Sequence, residues 1–140
     1  KSELLESGAD VAMLALGSMV EYARRASNIL RENSISCEVI NMRFAKPLDT
    51  QRLDDISKRF RKIVTLEENS LAGGFGSAVT EYFSDKKYKN DILRIGLPDY
   101  FIDHGTQEEL HALLGIDPKG IVEKVKLFVQ TENYTQEAVA

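Results

Sequence analysis

KIVTLEENSLAGGFGSAVTEYF, residues 62–83, decides the fold. Lys62 to Glu67 is a short apolar run of the kind that forms a strand, and Glu67 and Glu68 close it. Gly73, Gly74 and Gly76 follow, and Val79, Tyr82 and Phe83 then fall on one face of a helix. Strand, tight turn and helix in that order form the first part of a βαβ crossover. The glycines either cradle an anion against free helix amides or let the helix pack closely on the sheet.

The spacing argues for packing. Gly74-x-Gly76-x-x-Val79 lacks the third glycine of a dinucleotide fingerprint and follows the third strand instead of the first. No Gly-Lys-Ser/Thr ending is present, so the lysine of a nucleotide P-loop is missing. Two glutamates just before the turn would oppose a phosphate. Successive strand residues point to opposite faces, so Glu67 and Glu68 do not converge on one metal ion. Each is expected as a surface or interface carboxylate, with one of them free to meet a neighbouring domain.

The same strand-then-helix unit repeats on either side. VAMLAL, residues 11–16, is a continuous apolar run ended by Gly17, as a strand buried on both faces should be. Ser18 and Glu21 have the spacing of a capping box, and Met19, Ala23, Ala26 and Leu30 continue at helical intervals. ISCEVINM, residues 35–42, is a second strand. Lys46-Pro47-Leu48-Asp49 is a turn and cap before a helix through Leu53, Ile56 and Phe60. Ile92 to Leu97 is a fourth strand, stopped by Pro98. Thr106 and Glu109 open a short helix that ends at Gly115, and Asp117-Pro118 starts the last one, through Ile121, Val125 and Phe128.

These alternations predict an α/β fold of three layers: an open, mainly parallel sheet with helices on both faces. One strand of the sheet is free to run antiparallel. Residues 1–9 are expected as a lead-in from a preceding domain, 10–130 as the folded domain, and 131–140 as a flexible tail without period.

At 140 residues, 43% apolar and 29% charged, the chain has the composition of one packed domain. Its net charge of -4 offers no bulk attraction to nucleic acid or to an anionic membrane. No run approaches the length of a membrane span. Cys37 is the single cysteine, which excludes an internal disulfide and fits the cytoplasm. The chain begins at Lys1 without an initiator Met, as expected of a piece of a longer polypeptide and equally of an N-terminally trimmed chain.

Ligands of open α/β sheets sit beyond the carboxyl ends of the strands, so that rim supplies the remaining candidates. Arg43, with Lys46 nearby, follows the second strand and is expected in a surface salt bridge. Asp103 and His104 lie after the fourth strand, where a histidine can act as acid or base; with no nucleophile elbow to serve, His104 is expected as polar loop. His111 falls inside the short helix, and two histidines seven residues apart do not make a metal site. No catalytic constellation emerges from these residues.

The ordered motifs LALGSMVEYA, VINMRFAKPLD, KIVTLEENSLAGGFGSAV, LRIGLPDYFIDHGTQEEL and GIDPKGI together resemble the C-terminal domain of the transketolase-like thiamine-diphosphate enzymes. The resemblance covers about Asp10 to Val129. Arg43 to Asp49 and Thr65 to Asn69 carry patterns spread through that superfamily, including transketolases and the β subunits of 2-oxoacid dehydrogenase E1 components. GLPDYFIDHGTQEEL with GIDPKGI is most similar to the 1-deoxy-D-xylulose-5-phosphate synthase branch. Enzymes of that branch join pyruvate, after decarboxylation on the cofactor, to glyceraldehyde 3-phosphate for isoprenoid precursors.

The resemblance implies that thiamine diphosphate and Mg2+ belong to preceding domains of the parent enzyme, and that this segment binds neither. It implies partners in those domains and in a second subunit of a homodimer, with a structural, dimer-supporting role here. Arg43, Glu67, Glu68, Gly73, Gly74, Gly76, Asp103 and His104 are the candidate rim or interface residues. Ile102, beside Tyr100 and Phe101, is a candidate for an exposed apolar contact.

Overall fold

The computed structural model describes residues 1–44, 46–70, 74–97, 107–131 and 137–139, the side chains of 69, 70, 97, 107 and 137–139 excepted. In chain order the elements are β1 (Glu3–Glu6), β2 (Val11–Ala15), α1 (Met19–Glu32), β3 (Cys37–Asn41), α2 (Thr50–Arg59), β4 (Lys62–Ser70), α3 (Phe75–Asp85), β5 (Asp91–Leu97), α4 (Gln107–Leu114), α5 (Pro118–Gln130) and β6 (Glu137–Val139). The strands form one six-stranded sheet in the order β1-β3-β2-β4-β5-β6. The pairs β2–β3, β2–β4, β4–β5 and β5–β6 are parallel, and β1 runs antiparallel to β3.

The pleat sorts the core into two layers. In β2, Val11, Met13 and Ala15 face α1 and α5, where they meet Ala23, Leu30, Val125 and Phe128. Ala12 and Leu14, one step out of phase, face α2 and α3 and pack with Leu53, Ile56, Val79 and Phe83. All five β2 residues are fully buried because both sheet faces are covered, which explains why the strand shows no polar alternation. The expected three-layer α/β architecture is therefore present.

Local chemistry sets the helix ends. Asp49 caps α2 by accepting from the Arg52 amide, and Asp117 caps α5 by accepting from the Gly120 amide, with Pro118 in the first turn. Gly115 follows α4 with φ of 71°, a left-handed conformation that glycine adopts without a Cβ penalty. Ser18 departs from its expected role: it occupies the N-cap position of α1 but makes no side-chain cap bond.

The sheet also reaches beyond the expected 10–130 unit. Residues 3–6, read as part of a lead-in, form edge strand β1. Glu6 accepts from the Ser27 hydroxyl at 2.8 Å and lies near Arg24 and Arg31 of α1, while Ser2 and Asp49 are hydrogen-bonded at 2.6 Å. Residues 137–139, read as tail, pair with β5. An edge strand is held mainly by backbone hydrogen bonds, so neither ELLE nor EAV needs the apolar run that marks a central strand.

No helix among the described residues is long and apolar enough to cross a membrane. Cys37, the first residue of β3, is fully buried in the core layer that contains α1, and burial, reinforced by Asp10 and Glu6, pushes its thiol up to about 12. A thiol in that state is not a nucleophile at ordinary pH. Reaction of Cys37 with a disulfide reagent at pH 8 is therefore expected to follow global unfolding across a denaturant series; rapid labelling of the native chain would contradict the buried assignment.

Candidate functional site

The parallel strands end together at one rim, and β4 brings both of its glutamates there. Their side chains diverge as the pleat requires, and neither is an idle surface group. Glu67 is completely buried on the α3 side. Its Oε1 accepts from the Phe75 amide at 2.7 Å and its Oε2 from the Gly76 amide at 2.6 Å. These amides belong to the first turn of α3, where the backbone has donors without intrahelical acceptors and the helix dipole favours negative charge.

The expectation of Glu67 as a surface or interface carboxylate is thus corrected, since its side chain is fully buried. The glycine turn does build an anion position, and the chain fills it with its own carboxylate. The signal was present in sequence as a strand glutamate on the helix-facing side, eight residues before the first helical amide, but a strand–loop–helix motif does not state how far the loop folds back. Burial raises the Glu67 carboxyl above its ordinary 4.5, opposed by the Gly76 and Phe75 amides and by the Arg94 guanidinium. Arg94 of β5 in turn donates to the Ser77 hydroxyl at 2.7 Å.

Gly76 is needed for this arrangement by its size. A Cβ there would stand 2.8 Å from Thr65 Oγ1 and 2.9 Å from Glu67 Oε2. The helix begins so close to the strand that no side chain fits between. Gly74, the N-cap residue of α3, makes no side-chain cap bond, having no side chain to make it with; Glu67 supplies that function from the neighbouring strand.

On the opposite face, Glu68 Oε2 accepts from the Ser18 hydroxyl at 2.6 Å. This is where the Ser18 side chain goes instead of capping α1. Glu68 Oε1 lies 3.0 Å from His111 Nε2, without hydrogen-bond alignment. His111 Nδ1 is 2.9 Å from the Tyr22 hydroxyl, with the two rings edge to face. The histidine is buried, so β4, α1 and α4 meet through one polar chain. Helical spacing alone does not single out His111; α1 brings Tyr22 to its Nδ1 and β4 brings Glu68 beside its Nε2.

Arg43 adopts φ of 64° after β3 and lies 3.4 Å from Glu3, with both side chains about half exposed, as the salt-bridge expectation had it. Gly73, Asp103 and His104 lie outside the described residues, as do Tyr100, Phe101, Ile102 and Thr106. Among the described residues no three His, Cys, Asp or Glu side chains converge as a metal site. The α3 amides that would hold a diphosphate are committed to Glu67, so the described rim does not fit thiamine diphosphate there.

The family model for the transketolase C-terminal domain matches residues 1–121. A 1-deoxy-D-xylulose-5-phosphate synthase of Chlorobium phaeovibrioides is 44% identical over 91% of the chain, and one of Synechococcus sp. strain JA-3-3Ab is 45% identical over 93%. The chain spans 20% of the length of each. Among solved structures, a split-gene transketolase described as an inactive β4 tetramer superposes with a TM-score of 0.85 at 31% identity, over 92% of this chain and 42% of that one. A transketolase of Pichia stipitis matches in fold, with a TM-score of 0.64 at 22% identity over 91% of this chain and 18% of its own.

Two substitutions test the buried carboxylate. Glu67→Ala leaves two helix amides without an acceptor and is expected to destabilise the chain by about 2–4 kcal/mol at pH 7 in urea unfolding. A group whose folded value is raised stabilises most while protonated, so the contribution of Glu67 is expected to decline as pH rises from 4.5 through its folded value. The stability difference between the native chain and Glu67→Gln, followed from pH 4 to 8, measures that decline; a difference that grew with pH would reverse the assigned shift. Gly76→Ala is expected to cost about 1–3 kcal/mol by overpacking, seen as a lowered Tm.

Proposed function

The chain belongs to the transketolase C-terminal domain family, and from that premise we propose that it is the structural, dimer-supporting C-terminal domain of a thiamine-diphosphate-dependent 1-deoxy-D-xylulose-5-phosphate synthase. The parent enzyme joins pyruvate and glyceraldehyde 3-phosphate, with thiamine diphosphate supplying the carbanion chemistry and Mg2+ holding its diphosphate in the preceding domains. It is cytoplasmic and a homodimer. Identity above 40% to synthases over nine-tenths of the chain supports this substrate class over that of transketolase or an E1 β subunit.

The observation that carries the non-catalytic reading is the Glu67 carboxylate on the Phe75 and Gly76 amides. A helix N-terminus at the carboxyl rim is where such a fold accepts a phosphate. Here that position holds α3 on the sheet, and an anionic ligand would have to displace a buried side chain of like charge. The neighbouring chain of Ser18, Glu68, His111 and Tyr22 ties α1 and α4 to the same strand end, giving the rim a firm surface to present to the preceding domains and the second subunit.

The 140-residue chain alone is expected to be inactive. Calorimetric titration with thiamine diphosphate and magnesium should give no binding heat, and micromolar affinity would overturn the reading. The full-length polypeptide, assayed for release of carbon dioxide from pyruvate dependent on glyceraldehyde 3-phosphate, tests the parent activity directly.

A further inference from the structure

The opposite rim, at the amino ends of the strands, carries a feature that the proposed role does not use. The turns between α2 and β4 and between α3 and β5 enclose an open cleft of about 330 Å³, lined chiefly by Ser57, Lys58, Arg59, Arg61, Lys89 and Asn90. Four lining residues are cations and none is a carboxylate, on a chain whose net charge is -4.

Two of these cations are fixed in place. Arg59 reaches Glu38 through Nη1 at 3.2 Å and also pairs with Asp55 at 2.9 Å, so it forms a rigid wall. Arg61 approaches Asp91 through Nε at 3.3 Å, with its side chain 65% exposed. Lys58 and Lys89 are exposed, and neither forms an ion pair among the described residues. Helix C-termini normally disfavour anions, because their last carbonyls are unpaired. At this rim Asn90 Nδ2 donates to both Ser57 O and Phe60 O, which mutes the negative end of α2 facing the cleft.

We propose that this cleft binds a small polyanion bearing a phosphate or diphosphate group. Lysine ammonium groups bind phosphate as point charges, and an arginine with exposed terminal nitrogens adds directional donors. The cleft's volume, at the lower end of ligand sites, suits a small molecule held mainly by charge at an open cleft. The two buried carboxylates of this rim are already matched by protein donors, Glu38 by Arg59 and the Gly8 amide and Asp91 by Arg61 and Lys62.

The test is a two-dimensional NMR titration of the chain with inorganic pyrophosphate, followed by orthophosphate and by sodium chloride at matched ionic strength. Saturable shifts of the Arg61, Lys89 and Asn90 amides are expected with pyrophosphate, at lower concentration than with orthophosphate. The double variant Lys58→Gln/Lys89→Gln, altered only at exposed positions, is expected to weaken pyrophosphate binding about tenfold, the combined effect of two exposed ion pairs. Shifts that sodium chloride reproduces, or an affinity that the double variant leaves unchanged, would overturn the site. A hexaglutamate peptide binding these amides more tightly than pyrophosphate would overturn it as well, in favour of docking by an acidic protein segment.

Discussion

A carboxylate with no solvent exposure must find donors for its lone pairs, and the first turn of a helix must find acceptors for its amides. In this chain each requirement is met by the other. Glu67 enters from β4, Phe75 and Gly76 present their amides from α3, and the contact fixes how closely that helix lies on the sheet. The position of α3 then determines where Val79 and Phe83 meet Leu14 and Ile63, and so the packing of one core layer. Burial and hydrogen bonding act on the Glu67 carboxyl in opposite directions, and burial is the larger. Such a site supports the fold most firmly where the group is not forced to ionise.

The strands and helices of the core were legible in sequence because each unit contains its own signals. VAMLAL is uniformly apolar because both faces of β2 are covered, and the helical spacing through Leu53, Ile56 and Phe60 reports one buried side of α2. The caps at Asp49 and Asp117 were equally readable, since donor and acceptor lie within three residues. The edge strands β1 and β6 escaped notice because backbone pairing leaves little trace in side-chain pattern.

The rim was harder to read for a related reason. Ser18 matches a capping box in spacing, yet its hydroxyl donates to Glu68, fifty residues away. Nothing local distinguishes those two outcomes, because the deciding acceptor comes from another strand. His111 and Tyr22 are eighty-nine residues apart and meet only when α4 folds over α1. Periodicity indicates which side of a helix is buried, but it does not identify the polar group waiting there.

The consecutive glutamates of β4 also make the strand a measuring device. One peptide step separates the carboxylate that anchors α3 from the one that joins α1 to α4, so the two helical layers take their alignment from adjacent residues. A one-residue insertion or deletion between Val64 and Glu67 would exchange their destinations, presenting each layer with the wrong neighbour while leaving composition and strand propensity almost unchanged. This segment should therefore tolerate substitution more readily than any change in length, and its register sets a common origin from which both faces of the molecule are laid out.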